Sequence, residues 1–105
     1  MQWVKIADSA SPLVFNNENI CEVLVQGRRV CLTKVNKELV AFSGICPHAG
    51  ALLSEGYVDA KGQIVCPLHG FKFSLQTGKQ SFGEPYLLKI FKIKEVGEEI
   101  FVGFP

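Results

Sequence analysis

Cys46-Pro47-His48-Ala49-Gly50 and Cys66-Pro67-Leu68-His69-Gly70 hold both histidines of this 105-residue chain, each two or three residues after a cysteine. The three positions following each of four cysteines cover twelve of 105 sites. Independent scattering would place both histidines there with a chance on the order of one in a hundred, so a shared metal site is the leading reading. Written out, the pattern is C-x-H-x17-C-x-x-H.

Outward from these two stretches the chain reads as strands. Val4 to Ile6, Glu22 to Val25, Arg29 to Val35 and Leu39 to Ser43 are short and rich in β-branched residues, with turn candidates at Gln26-Gly27 and Asn36-Lys37. Gly56 to Val58 and Gln63 to Val65 flank a turn at Asp59-Ala60-Lys61-Gly62, and Phe71 to Leu75 leads into Thr77-Gly78. Leu87 to Lys94, a turn at Val96-Gly97 and Glu99 to Gly103 close the chain. Ser11 and Pro12 offer a weak helix start over Pro12 to Asn19, which Asn16, Asn17 and Asn19 oppose. The fold class is therefore all-β, with about eight to ten strands at hairpin spacing. Most glycines fall between Gly44 and about Gly83, together with every ligand candidate. This predicts a single domain over 1–105, with a β framework at 1–43 and 84–105 and a loop-based subdomain at about 44–83. Loops on a rigid scaffold are where sites usually lie.

Composition narrows the function. Hydrophobic residues make up 48% and charged residues 20%, an ordinary globular balance. Eleven Lys plus Arg stand against ten Asp plus Glu, with no basic block, so neither nucleic acid nor an anionic membrane surface is an expected partner. The N-terminal residues show no secretory pattern, and no apolar run approaches the ~18 residues a membrane helix requires. The expectation is a soluble, cytoplasmic protein whose thiols stay reduced and serve metal or redox chemistry.

Each half-site offers one thiolate and one imidazole, ligands that zinc, copper and iron-sulfur sites all accept. Structural zinc usually pairs like with like, Cys with Cys and His with His, whereas here each half is mixed. A two-iron cluster suits the mixture if the cysteines hold one iron and the histidines the other. Two ferric ions, two sulfides and two thiolates sum to zero charge, while four thiolates would leave minus two. A neutral centre takes up an electron more readily, which moves the potential to about −150 to +300 mV from about −400 mV for an all-thiolate cluster.

The two boxes and their 17-residue separation resemble those of the Rieske [2Fe-2S] family, and the resemblance covers the whole chain. It implies one [2Fe-2S] cluster bound by Cys46, His48, Cys66 and His69, the histidines through Nδ1. It further implies three stacked antiparallel sheets, with a loop at Gly83-Glu84-Pro85 covering the cluster from a third side. The second cysteine pair of the family's high-potential members would fall at Ala51 and Leu68, and their cluster-bonding Ser and Tyr at Phe71 and Phe73. Fewer hydrogen bonds to sulfur leave the reduced cluster less stabilised, so a potential in the lower half of the window is expected.

No membrane anchor is expected, and no histidine remains for the mononuclear iron of a terminal oxygenase. The resemblance thus implies a ferredoxin, not an enzyme, carrying single electrons from a flavoprotein NAD(P)H reductase to a terminal oxygenase or reductase. Transient contacts are expected near His48, Leu68 and His69. The alternatives are the small Rieske-like subunit of an assimilatory nitrite reductase, a zinc-bound structural module, or a Cys46 to Cys66 bridge. Cys21 and Cys31 read as buried free thiols, since a Gln26-Gly27 turn sets Cys21 opposite Leu32. Trp3 and the eight phenylalanines read as core.

Overall fold

A computed structural model describes residues 1–83 and 85–105; of the Gly83-Glu84-Pro85 loop, Glu84 lies outside the described residues. Nine strands are described: β1 (Gln2–Ala7), β2 (Cys21–Val25), β3 (Arg28–Val35), β4 (Glu38–Ser43), β5 (Tyr57–Val58), β6 (Gln63–Val65), β7 (Lys72–Ser74), β8 (Ile90–Val96) and β9 (Glu99–Phe104). All pair antiparallel. β1-β9-β8 and β4-β3-β2 meet through only two residue pairs, Ala41 with Phe91 and Phe42 with Ile90, and β5-β6-β7 forms a separate sheet. The all-β expectation and its curled antiparallel sheets hold.

The two-residue turns set the register. Gln26 and Gly27 have φ of 52° and 78°, and Asn36 and Lys37 have 52° and 68°. Left-handed conformation at both central residues matches the twist of the flanking strands, which is why such turns dominate tight hairpins. Cys21 accordingly pairs with Leu32, and Cys31 with Glu22.

β3 is buried without interruption from Val30 to Thr33 because both of its faces are covered. Val30 and Leu32 pack with Cys21, Ala41, Phe91 and Val102 on one side. Cys31 and Phe42 pack on the other with Leu53, Ile64, Phe73, Cys46 and Cys66. The β2-β3-β4 sheet is thus the middle layer, sharing one core with the framework and the other with the two boxes. Cys21 and Cys31 lie on opposite faces, and all four cysteines are free. Emptying the shared core by Phe42→Ala would cost about 3–5 kcal/mol and would remove the floor beneath the site.

Several sequence expectations shift. Pro12 to Asn19 forms no helix: the Asn16 side chain accepts from the Glu18 and Ile20 amides at 2.9 and 3.0 Å and donates to the Ser54 carbonyl at 3.0 Å. Asn side chains compete with helical backbone bonds in this way. The expected strands at Gly56 to Val58, Phe71 to Leu75 and Leu87 to Lys94 become Tyr57–Val58, Lys72–Ser74 and Ile90–Val96. The last turn lies at Gly97-Glu98, since Val96 pairs with Glu99. A 3-10 turn at Leu53–Glu55 was not foreseen. Phe82 is 73% exposed and Trp3 38% exposed, so neither is core; Lys94 Nζ sits 4.6 Å from the centre of the Trp3 ring. No helix among the described residues is long and apolar enough to cross a membrane.

Candidate metal centre

The two boxes are one backbone loop built twice. The Cys46 amide donates to the Ala51 carbonyl at 2.9 Å, and Gly50 donates back to the Cys46 carbonyl at 2.9 Å. Twenty residues later Cys66 donates to Phe71 at 2.8 Å and Gly70 to Cys66 at 3.1 Å. Proline follows each cysteine and presets φ for the turn. Gly50 and Gly70 close the loops at φ of 71° and 70°, where an L side chain is strained. One difference breaks the symmetry: the histidine is the third residue of the first loop and the fourth of the second.

The loops spring from rigid supports. Cys66 directly follows β6, and Cys46 follows β4 after Gly44, whose amide donates to Arg29 at 2.9 Å. Gly56 passes so close to β6 that a Cβ there would overlap the Val65 carbonyl oxygen and lie 3.3 Å from Pro67 Cδ. The second box is thereby held against the strand that follows the first.

Within this frame the sulfurs lie inside and the imidazoles toward the surface. Cys46 and Cys66 are each 1% exposed and belong to the shared core. Burial pushes the Cys46 thiol above its ordinary range, the Ala49 and His48 amides directed at its sulfur pull it down, and the neighbouring Cys66 thiol pushes it up again. A bound cation would reverse the burial effect by favouring thiolate. His48 is half-buried and His69 exposed, with ring centroids 5.9 Å apart at 80°. His48 Nδ1 is buried and has no hydrogen-bond partner. An orphaned ring nitrogen is costly unless something outside the protein takes its lone pair or proton.

Among the described residues no three Cys, His, Asp or Glu side chains close on one point. The four candidates divide instead into a sulfur pair and an imidazole pair, the donor set that a two-iron cluster divides between its metals. Phe71 and Phe73 carry no hydroxyl and contribute no donor; Phe73 is fully buried. Sequence reasoning missed two neighbours. Tyr86 sets its ring 4.9 Å from His48, and its place after Pro85 was the only signal of this. Gln80 pairs with Phe73 in an isolated bridge and is 5% exposed, with both amide atoms unpartnered. Nothing in the sequence marked it.

Two equivalent loops that bring a buried thiol pair beside an imidazole pair define the class of two-loop iron-sulfur proteins. The family model for the Rieske [2Fe-2S] domain matches residues 2–92, and the chain belongs to that family. Its cofactor is one Rieske-type [2Fe-2S] cluster. The chain is 36% identical, over 61 residues, to the ferredoxin component of the naphthalene 1,2-dioxygenase system of Pseudomonas putida. That match spans 58% of this chain and 58% of the relative's length. The ferredoxin of carbazole 1,9a-dioxygenase from Nocardioides aromaticivorans IC177 superposes with a TM-score of 0.77 and 26% identity, covering 97% of each chain. A chain in a solved complex of reduced oxygenase and oxidised ferredoxin of carbazole 1,9a-dioxygenase gives 0.74 and 27%, covering 95% of this chain and 91% of that one.

Proposed function

We propose that the chain is a cytoplasmic one-electron carrier, not itself an enzyme, in which Cys46 and Cys66 hold one iron of the cluster and His48 and His69 the other. The observation that carries this is the buried, unpartnered Nδ1 of His48 beside the second imidazole and above two buried thiols. Once bound, the cluster accepts and releases single electrons. The protein's own part is to hold the thiols dry, to aim the imidazoles outward and to keep water from the sulfur side. Residues 44–83 act as the cluster-binding subdomain of a single domain over 1–105, and the remainder as its framework.

The acceptor is a terminal oxygenase, a reading supported by the ferredoxin relatives of oxygenase systems, and the donor is a flavin-dependent NAD(P)H reductase, as the resemblance to the family implies. Both dock at the tip formed by Pro47, His48, Leu68, His69 and Gly70. Leu68 is 56% exposed there, and its neighbours Pro67 and His69 are exposed too. Such an interface belongs to the small, transient class, under ~1,200 Å² in total.

Purified protein is expected to be red-brown, with iron and acid-labile sulfide in equal amounts and a Rieske-type EPR signal on reduction. Replacing His48 or His69 by Ala is expected to abolish that signal. A colourless protein holding zinc, or a full signal in either variant, overturns the assignment. Leu68→Glu is expected to slow electron exchange with the reductase while leaving the spectrum intact; an unchanged rate rules out docking at Leu68.

A further inference from the structure

Two aromatic rings pack closely on His48, whereas His69 meets Phe71 only at longer range. Phe71 lies 3.9 Å from the His48 ring at 50°, and Tyr86 meets it from another direction at 4.9 Å and 81°. The approach of Tyr86 is edge-to-face, a preferred arrangement for rings with opposed edge and face charge. His69 stands 6.3 Å from Phe71 and is exposed. The histidines, equivalent as ligand types, are therefore unequal in surroundings.

Tyr86 has a firm base despite lying in a loop. Leu87 bridges Lys79, and the next residue, Leu88, is 2% exposed and donates to the Gly78 carbonyl at 2.8 Å. Gly78 in turn leaves no room for a Cβ, which would overlap the Leu88 carbonyl oxygen. The backbone two residues beyond Tyr86 is thus pinned to the end of the β7 hairpin. Tyr86 as a residue is 37% exposed, and its ring meets the imidazole in a T-shaped arrangement.

We infer that Tyr86 is a positioning residue for His48: with Phe71 it fixes the plane of that imidazole and keeps water from one side of it. This rests on His48 being a ligand. Uptake of an electron takes the cluster from neutral to negative, and a dry wall disfavours the charged form. Removing the wall should favour reduction, and removing the clamp should let the imidazole rotate. Both effects belong to the ring, so a phenyl group should preserve them.

The test compares Tyr86→Leu and Tyr86→Phe in loaded protein, with iron and sulfide content measured first. Tyr86→Leu is expected to raise the midpoint by a twofold to tenfold change in the reduction equilibrium, tenfold being about 59 mV for one electron. It should also alter the pulsed-EPR nitrogen coupling of one histidine and not the other, while Tyr86→Phe matches the parent in both readouts. In cluster-free protein, the His48 ring protons should lose an aromatic ring-current shift in Tyr86→Leu and retain it in Tyr86→Phe. A fully loaded Tyr86→Leu with unchanged midpoint and couplings overturns the inference, as does a Tyr86→Phe that behaves like it. If Tyr86→Leu fails to load, a parent-like Tyr86→Phe supports the inference and an altered one overturns it. Failure of the ligand reading looks different: His48→Ala then keeps the Rieske signal, whatever Tyr86 does.

Discussion

Gly56→Ala should weaken the fold and loosen the second box together. The added Cβ would overlap the Val65 carbonyl oxygen and press on Pro67 Cδ at 3.3 Å. Neither obstacle is a flexible side chain: one is strand backbone and the other a proline ring in the second box. Gly56 has φ of −91° and ψ of −152°, extended values open to alanine, so the cost is overpacking and not dihedral strain. Overpacking of a tight interior costs about 1–3 kcal/mol. Taking about 2 kcal/mol, a domain of this size loses roughly 8 to 16 °C in Tm. Relief requires β5 and β6 to part, carrying Pro67 and Cys66 with them, so cluster retention should fall in parallel. Thermal melts and iron content of Gly56→Ala can be compared with Gly50→Ala, where a Cβ meets nothing within 4 Å and only the positive φ is penalised. A Tm within about 3 °C of the parent with full iron content would refute the reasoning, because it would mean the strands do not press there.

Gln80→Leu removes two buried, unpartnered amide atoms and is expected to raise stability in urea by about 1 kcal/mol or more; a loss of stability would show that the amide is paired. Burial first, then the Glu22 carboxylate, pushes the Cys31 thiol from 9.0 up to about 12. Because the folded pKa is raised, this contribution is whole below pH 9 and is lost as pH climbs toward 12, at no more than about 1.4 kcal/mol per pH unit. Urea midpoints at pH 8 and pH 10.5 should therefore converge in Cys31→Ala, and an unchanged pH slope in that variant contradicts the assignment. With Phe71 and Phe73 in place of hydroxyl donors, a redox titration should give a midpoint in the lower half of about −150 to +300 mV; a value well above zero counts against it.

Much of the site was legible before any folding argument. Cys and His are rare, their spacing is local, and each box closes its own loop through bonds between the cysteine and the residues four and five further on. Local chemistry of that kind is written in a short stretch of sequence. The register of β2 with β3 was legible for the same reason, since a two-residue turn dictates which residues face each other, whereas the last turn, expected at Val96-Gly97, lies one residue later. The Pro12 to Asn19 segment misled because Asn16 spends its side chain on a turn and on Ser54, thirty-eight residues away.

The sequence by itself determined the two-box pattern of candidate ligands, the all-β class and the pairing of β2 with β3. Only the tertiary structure decided that β3 separates two cores, that Gly56 and Gly78 have no room for a Cβ, and that Gln80 is buried without partners. It alone placed Tyr86 on His48 and left His69 open. The physical reason is the range of the interactions. Turn and loop bonds join residues a few positions apart, whereas ring packing, exclusion of a Cβ and burial of an amide depend on which distant segments arrive on the other side.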